Sequence, residues 1–148
     1  MKIKTKRFGE IDLDEQSVVT FKNGILGFPK VKKYVLIDPN KKSPLKWLQS
    51  VEKSDLAFVI TNPLIFKQDY EIKVLRTDME DLEVTDFKNV FQFVIVTVPH
   101  DPSKMTANMK GPILINTENN QAKQLILDDP ELEIKFRLIS NQKIAKAV

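Results

Sequence analysis

His100 is the only histidine of the chain, and it sits in Val98-Pro-His-Asp-Pro102 with Ser103 close by. A hydrolytic reading makes Ser103 the nucleophile and His100 its base. That chemistry needs side chains converging from a rigid scaffold, with a third group orienting the base. A loop held between two prolines is a poor frame for it, and a surface histidine is the favoured reading. One histidine and no cysteine also leave no ligand set for zinc or another transition metal. Carboxylates gather at Asp78, Glu80, Asp81, Glu83 and Asp86. A calcium loop needs oxygen ligands at fixed spacing around a central glycine, and this segment has none. The expectation is a solvated acidic loop, with an acidic face for a basic partner as a second reading. Gly24 and Gly27 in Asn23-Gly-Ile-Leu-Gly-Phe-Pro29 lack the further glycine and the Lys-Ser or Lys-Thr helix start of a phosphate cradle. They are expected to supply positive φ or close packing at a strand corner, with Phe28 plugging the core beside it. No cofactor is expected.

The remaining polar signals are electrostatic. Net charge is +3, unevenly spread: residues 1–50 carry 11 basic and 5 acidic groups, 51–100 carry 5 and 9, and 101–148 carry 7 and 6. Clusters occur at Lys2/Lys4/Lys6 and Lys30/Lys32/Lys33. A basic chain invites an RNA-binding reading. No aromatic residues interleave with these lysines as stacking platforms, so a charged, solvated edge strand is favoured for Lys2, Lys4 and Lys6. The positive N-terminus has no apolar stretch behind it, so no signal peptide is expected. No window approaches the roughly 18 apolar residues of a membrane span. With no cysteine, a reducing cytoplasm suits the chain.

The elements that must hold these residues are short. Apolar or alternating runs occur at Ile3–Thr5, Val18–Phe21, Tyr34–Ile37, Leu45–Gln49, Ala57–Thr61, Tyr70–Leu75, Phe91–Val98, Pro112–Asn116 and Ala122–Leu127. Turn residues split them. Phe91–Val98 is the longest β-branched run and is expected in the sheet interior. Helix is scarce: one turn in Leu64–Tyr70, a short helix or ordered loop in Thr77–Thr85, and a mildly helical tail. The expectation is all-β, a single small antiparallel barrel or sandwich with minor helix. Residues 1–138 form one domain, and 139–148 a tail that is a short helix or frays. In Leu64–Tyr70, Phe66 and Tyr70 stand four apart and share a face if their turn is helical. They are either core or an exposed aromatic anchor.

The stretch Met105-Thr-Ala-Asn-Met-Lys-Gly-Pro-Ile-Leu-Ile-Asn116 carries no nucleophile, metal ligand or phosphate cradle. Pro112 is expected to mark a strand start and Asn116 its end. Beside it stand Phe21-Lys-Asn-Gly-Ile-Leu-Gly-Phe28, Leu48-Gln-Ser50, Leu56–Ile60 with Asn62-Pro63, Phe66 with Asp69-Tyr70, Val96-Thr-Val98 and Lys123–Leu127. Taken in chain order, the segments resemble the FliW family, flagellar assembly factors of bacteria. Gly111 departs from the family pattern, which usually has alanine there. The resemblance implies a non-enzymatic β-barrel-like fold with two protein partners, flagellin and the RNA-binding translational repressor CsrA. It implies that flagellin occupies the protein until export frees it. The freed protein then binds CsrA away from the RNA-binding surface and relieves repression of flagellin mRNA. The net positive charge puts an acidic, RNA-repelling surface in doubt here, and no direct nucleic-acid or membrane partner is expected. Candidate contacts are Phe66, Asp69, Tyr70, Thr106, Asn108, Met109 and Lys110. Gly24, Gly27, Phe28, Gln49, Ser50, Pro63, Pro112 and Asn116 are expected to be structural.

Overall fold

The computed structural model describes residues 1–139. Its strands are β1 (Lys2–Thr5), β2 (Gly9–Asp12), β3 (Val18–Phe21), β4 (Lys33–Ile37), β5 (Leu45–Ser50) and β6 (Ala57–Thr61). They continue with β7 (Val90–Thr97), β8 (Thr106–Ala107), β9 (Ile113–Asn116), β10 (Gln121–Gln124) and β11 (Phe136–Arg137). Among the described residues, one short α-helix, α1 (Arg76–Asp81), lies between β6 and β7. Apart from Ile139, the expected C-terminal tail lies outside the described residues. Ile139 itself is buried.

β7, β6, β5, β4, β3, β10 and β9 pair in sequence, and β9 pairs back onto β7, so seven strands close a barrel. An odd ring cannot alternate direction all the way round. One neighbouring pair must run parallel, and here it is β3 with β10, through Thr20↔Gln121 and Phe21↔Ala122. The expectation of antiparallel pairing therefore fails at this one seam. Closure removes the exposed edges that an open sheet would offer to other chains. Successive side chains of a strand alternate between faces, and β7 shows this directly. Phe93 and Ile95 join the interior with Phe21, Tyr34, Leu48, Ile60 and Ile113. Val94 and Val96 face outward onto a second cluster with Met105, Met109 and Leu138.

Two departures from the expected strands shape the outside of the barrel. Tyr70–Leu75 is not a strand. Its burial alternates, with Ile72 and Val74 turned inward, but it has no ladder partner. It is part of a belt, residues 62–84, that crosses the outside of the barrel and covers Leu114 and Leu125. Pro63, buried at the start of the belt, opens a short 3-10 turn in which Asn62 Oδ1 accepts from the Leu64 N–H. The second departure lies between β8 and β9, which are one interrupted strand along β7. The Asn108 N–H donates to the Ile95 carbonyl, while Ile113 is paired with Phe93. Met109 to Pro112 thus stand opposite Val94 alone, an outward excursion of the chain.

β1 and β2 form a separate hairpin. Lys2 and Lys4 face solvent while Ile3 and Thr5 are buried, as their alternation predicted. The Lys6 N–H donates to the Ser54 carbonyl, Phe8 packs edge-on to Trp47, and the Arg7 guanidinium lies 4.2 Å from the Trp47 ring centre. These contacts fasten the hairpin to the barrel wall.

Candidate protein-contact site

The excursion is built from backbone groups that would otherwise be orphaned. The Met109 N–H donates to the Glu133 carbonyl, and the Met109 carbonyl accepts from the Tyr70 hydroxyl at 2.8 Å. The Leu127 and Leu125 N–H groups donate to the Lys110 and Pro112 carbonyls, and Gln124 Nε2 donates to the Gly111 carbonyl. The first two continue the β10–β9 register, in which Gln124 pairs with Ile113, past the end of both strands. Asn108 Oδ1 accepts from the Lys110 N–H and sets the turn. A Cβ on Gly111 would come 2.8 Å from Asn108 Nδ2 and 2.9 Å from Gln124 Nε2. With those two amides in place, glycine rather than alanine fits.

This architecture corrects two candidate contacts. Met109 is fully buried and Tyr70 nearly so, both in the outer cluster. Burial raises the Tyr70 phenol well above its ordinary range. Phe66 is half-buried against the same cluster. Thr106, Asn108 and Lys110 are partly exposed and Asp69 fully so. Lys67 donates to Asp69 at 3.0 Å and holds its carboxyl below the usual range. An accessible surface along this side is therefore supplied by Asp69, Thr106, Asn108 and Lys110 with the rim of Phe66.

The corner at residues 23–28 also differs from expectation. Gly24 and Gly27 have φ of +68° and +90°. At Gly24 an added Cβ would lie 2.4 Å from the Phe28 carbonyl oxygen, so only glycine fits. Phe28 does not plug the core. It is about one-third exposed and packs edge-on to Phe58, with ring centres 5.6 Å apart. Ile25 fills the interior instead, because the Ile25–Phe28 turn carries Phe28 out to the barrel rim. Leu26, at the tip, is 67% exposed, and its N–H donates to Gln124 Oε1.

The structural residues sit where strand ends must be tied. Gln49 Nε2 lies within reach of the Ser50 and Leu56 carbonyls, and Ser50 Oγ accepts from the Glu52 and Lys53 N–H groups. Asn116 Nδ2 donates to the Leu82 carbonyl and Asn116 Oδ1 accepts from the Glu118 N–H. It ends β9 and anchors the belt together. The acidic segment is not wholly solvated. Asp78 is buried, and Lys123 Nζ reaches both Asp78 Oδ1 and Asp81 Oδ2 at 2.7 Å. Asp78 and then Asp81 raise the Lys123 pKa, and Lys123 lowers that of Asp81. This ion triad pins α1 to β10. Composition could not reveal it, because the partners are 42 and 45 residues apart in sequence. Ser103 Oγ donates to Asp101 at 2.7 Å, holding that carboxyl below the usual range. It thereby serves a turn and not His100, which is exposed.

Sequence reasoning also missed an exposed groove between residues 71–75 and 126–129. A signal for it existed: Leu125-Ile-Leu127 places three apolar residues in a row, so an alternating backbone must turn one of them outward. Ile126 is that residue, 74% exposed.

The family model described as FliW protein matches residues 2–138. The flagellar assembly factor FliW of Alkaliphilus metalliredigens is 40% identical over 94% of this chain and 86% of its own length. That of Thermoanaerobacter pseudethanolicus is 38% identical over 98% and 97%. A crystal structure of the flagellar assembly factor FliW superposes with a TM-score of 0.89 at 35% identity, covering 96% of this chain and 99% of that one.

Proposed function

The chain belongs to the FliW family, and from that premise we propose that it is a cytoplasmic flagellar assembly factor working as a non-enzymatic partner switch. Flagellin is one partner. The translational repressor CsrA is the other. While flagellin accumulates it occupies the protein. After export the protein is released to bind CsrA away from its RNA surface, and flagellin mRNA becomes translatable. The observation that carries this reading is likeness over nearly the whole chain, in sequence and in backbone, to flagellar assembly factors.

The physics of a switch constrains it further. Two partners can exclude one another only if their footprints overlap or are energetically coupled. Each affinity must also allow exchange. Asp69, Thr106, Asn108 and Lys110, with the exposed rim of Phe66, form the contact surface of this proposal. The test is to mix the purified protein with flagellin, with CsrA and with both, and to read masses by sedimentation velocity. Two binary complexes and no ternary complex are expected. A stable ternary complex overturns the switch, and failure of both binary complexes overturns the partner assignment.

A further inference from the structure

β3 pairs with β10 only at Gln121 and Ala122, then turns away at Lys22 into the corner loop. Beyond that point the chain from 124 to 128 keeps its other edge paired, since the Leu125 and Leu127 N–H groups donate to the excursion. In an antiparallel ladder, successive N–H groups point to opposite edges. Those of Ile126 and Asp128 therefore face the edge that β3 has vacated, and among the described residues neither has a backbone partner. Across the groove, the N–H groups of Glu71, Ile72, Lys73 and Val74 likewise make no backbone hydrogen bond among the described residues. The cleft is about 380 Å³. Leu75 is 53% and Ile126 74% exposed on its walls. Glu71, Asp128 and Asp129 against Lys73 leave its rim acidic, and none of the four is in an ion pair among the described residues.

We propose that this groove takes an extended segment of another polypeptide, alternating apolar with basic side chains. The segment adds to the open edge at residues 124–128, where backbone groups supply hydrogen bonds. Its apolar side chains cover Ile126 and Leu75, and its cations meet Glu71, Asp128 and Asp129. The chemistry of the occupant follows from the site: an open strand edge demands an extended backbone, the apolar walls demand alternate aliphatic residues, and the acidic rim selects lysine or arginine. The inference stands apart from the partner switch, because its probe is a peptide and neither proposed partner.

The test is binding of a labelled, end-capped hexapeptide alternating lysine with valine, against a control carrying glutamate for lysine. Fluorescence anisotropy with the full chain should show binding of the lysine peptide only, weakening as salt screens the rim. Ile126→Asn, at an exposed position that leaves the melting temperature unchanged, should weaken binding at least about tenfold, which corresponds to about 1.4 kcal/mol. Amide exchange at Ile126 and Asp128 should slow when the lysine peptide is added. Equal binding of both peptides, no binding at all, an unchanged affinity in Ile126→Asn, or unprotected Ile126 and Asp128 amides would each overturn the proposal. So would self-association of the chain that Ile126→Asn abolishes, which would assign the groove to a second copy.

Discussion

Two buried tyrosines show how position, not residue type, sets what a side chain contributes. The Tyr70 hydroxyl donates to the Met109 carbonyl and holds the excursion to the belt. The Tyr34 hydroxyl is buried in the barrel without a partner among the described residues, and desolvation pushes its pKa up to about 12. Removing a satisfied hydroxyl strands its acceptor, whereas removing an unsatisfied one relieves a desolvation cost. Tyr70→Phe should lose about 1–2 kcal/mol in urea unfolding, while Tyr34→Phe should be within about 0.5 kcal/mol of the parent or more stable. Equal losses would show that the Tyr34 hydroxyl has a partner. The spacing of Phe66 and Tyr70 predicted a shared face only for a helical turn; the turn is helical only over Pro63–Ile65, yet both side chains pack on one cluster. Whether that face met solvent or barrel depended on the excursion, which no local pattern encodes.

At the scale of elements, the belt is fastened in part by charge, through Lys123 with Asp78 and Asp81. Lys123 is held above its ordinary pKa of 10.5. Its contribution is complete below the unfolded value and is lost as pH rises through the folded one. Asp81 is held below its ordinary 3.8, so its share is present above that value and is lost as pH falls through the folded one. The triad is therefore intact across the neutral range and fails at both extremes. Hydrogen exchange of the α1 amides, corrected for intrinsic rates, should show protection at neutral pH that declines below about pH 4. Lys123→Met, which leaves the buried Asp78 without its cation, should weaken that protection already at neutral pH. An unchanged pH profile in the variant would remove the triad as the fastening. Alternation in Tyr70–Leu75 correctly indicated which residues turn inward but not that the partner was a barrel's outer face, since period-two burial arises wherever an extended chain lies on an apolar surface. Short elements such as β8 and β11, two residues each, carry too little pattern to be read.

For the whole molecule, the runs bounded by turn residues located the barrel strands because each strand has to bury one face. The seam between β3 and β10 was not legible, because it joins residues about a hundred apart and is imposed by closing an odd ring. Seven strands wrapped by an external belt and an excursion leave Asp69, Thr106, Asn108 and Lys110 accessible on the outside of the barrel, the surface proposed for the partners. The partner switch is tested most directly by following CsrA bound to a labelled flagellin leader RNA while this protein and then flagellin are added. The protein should release the RNA, and flagellin, added next, should restore RNA binding. RNA that stays bound, or release that flagellin fails to reverse, would contradict it.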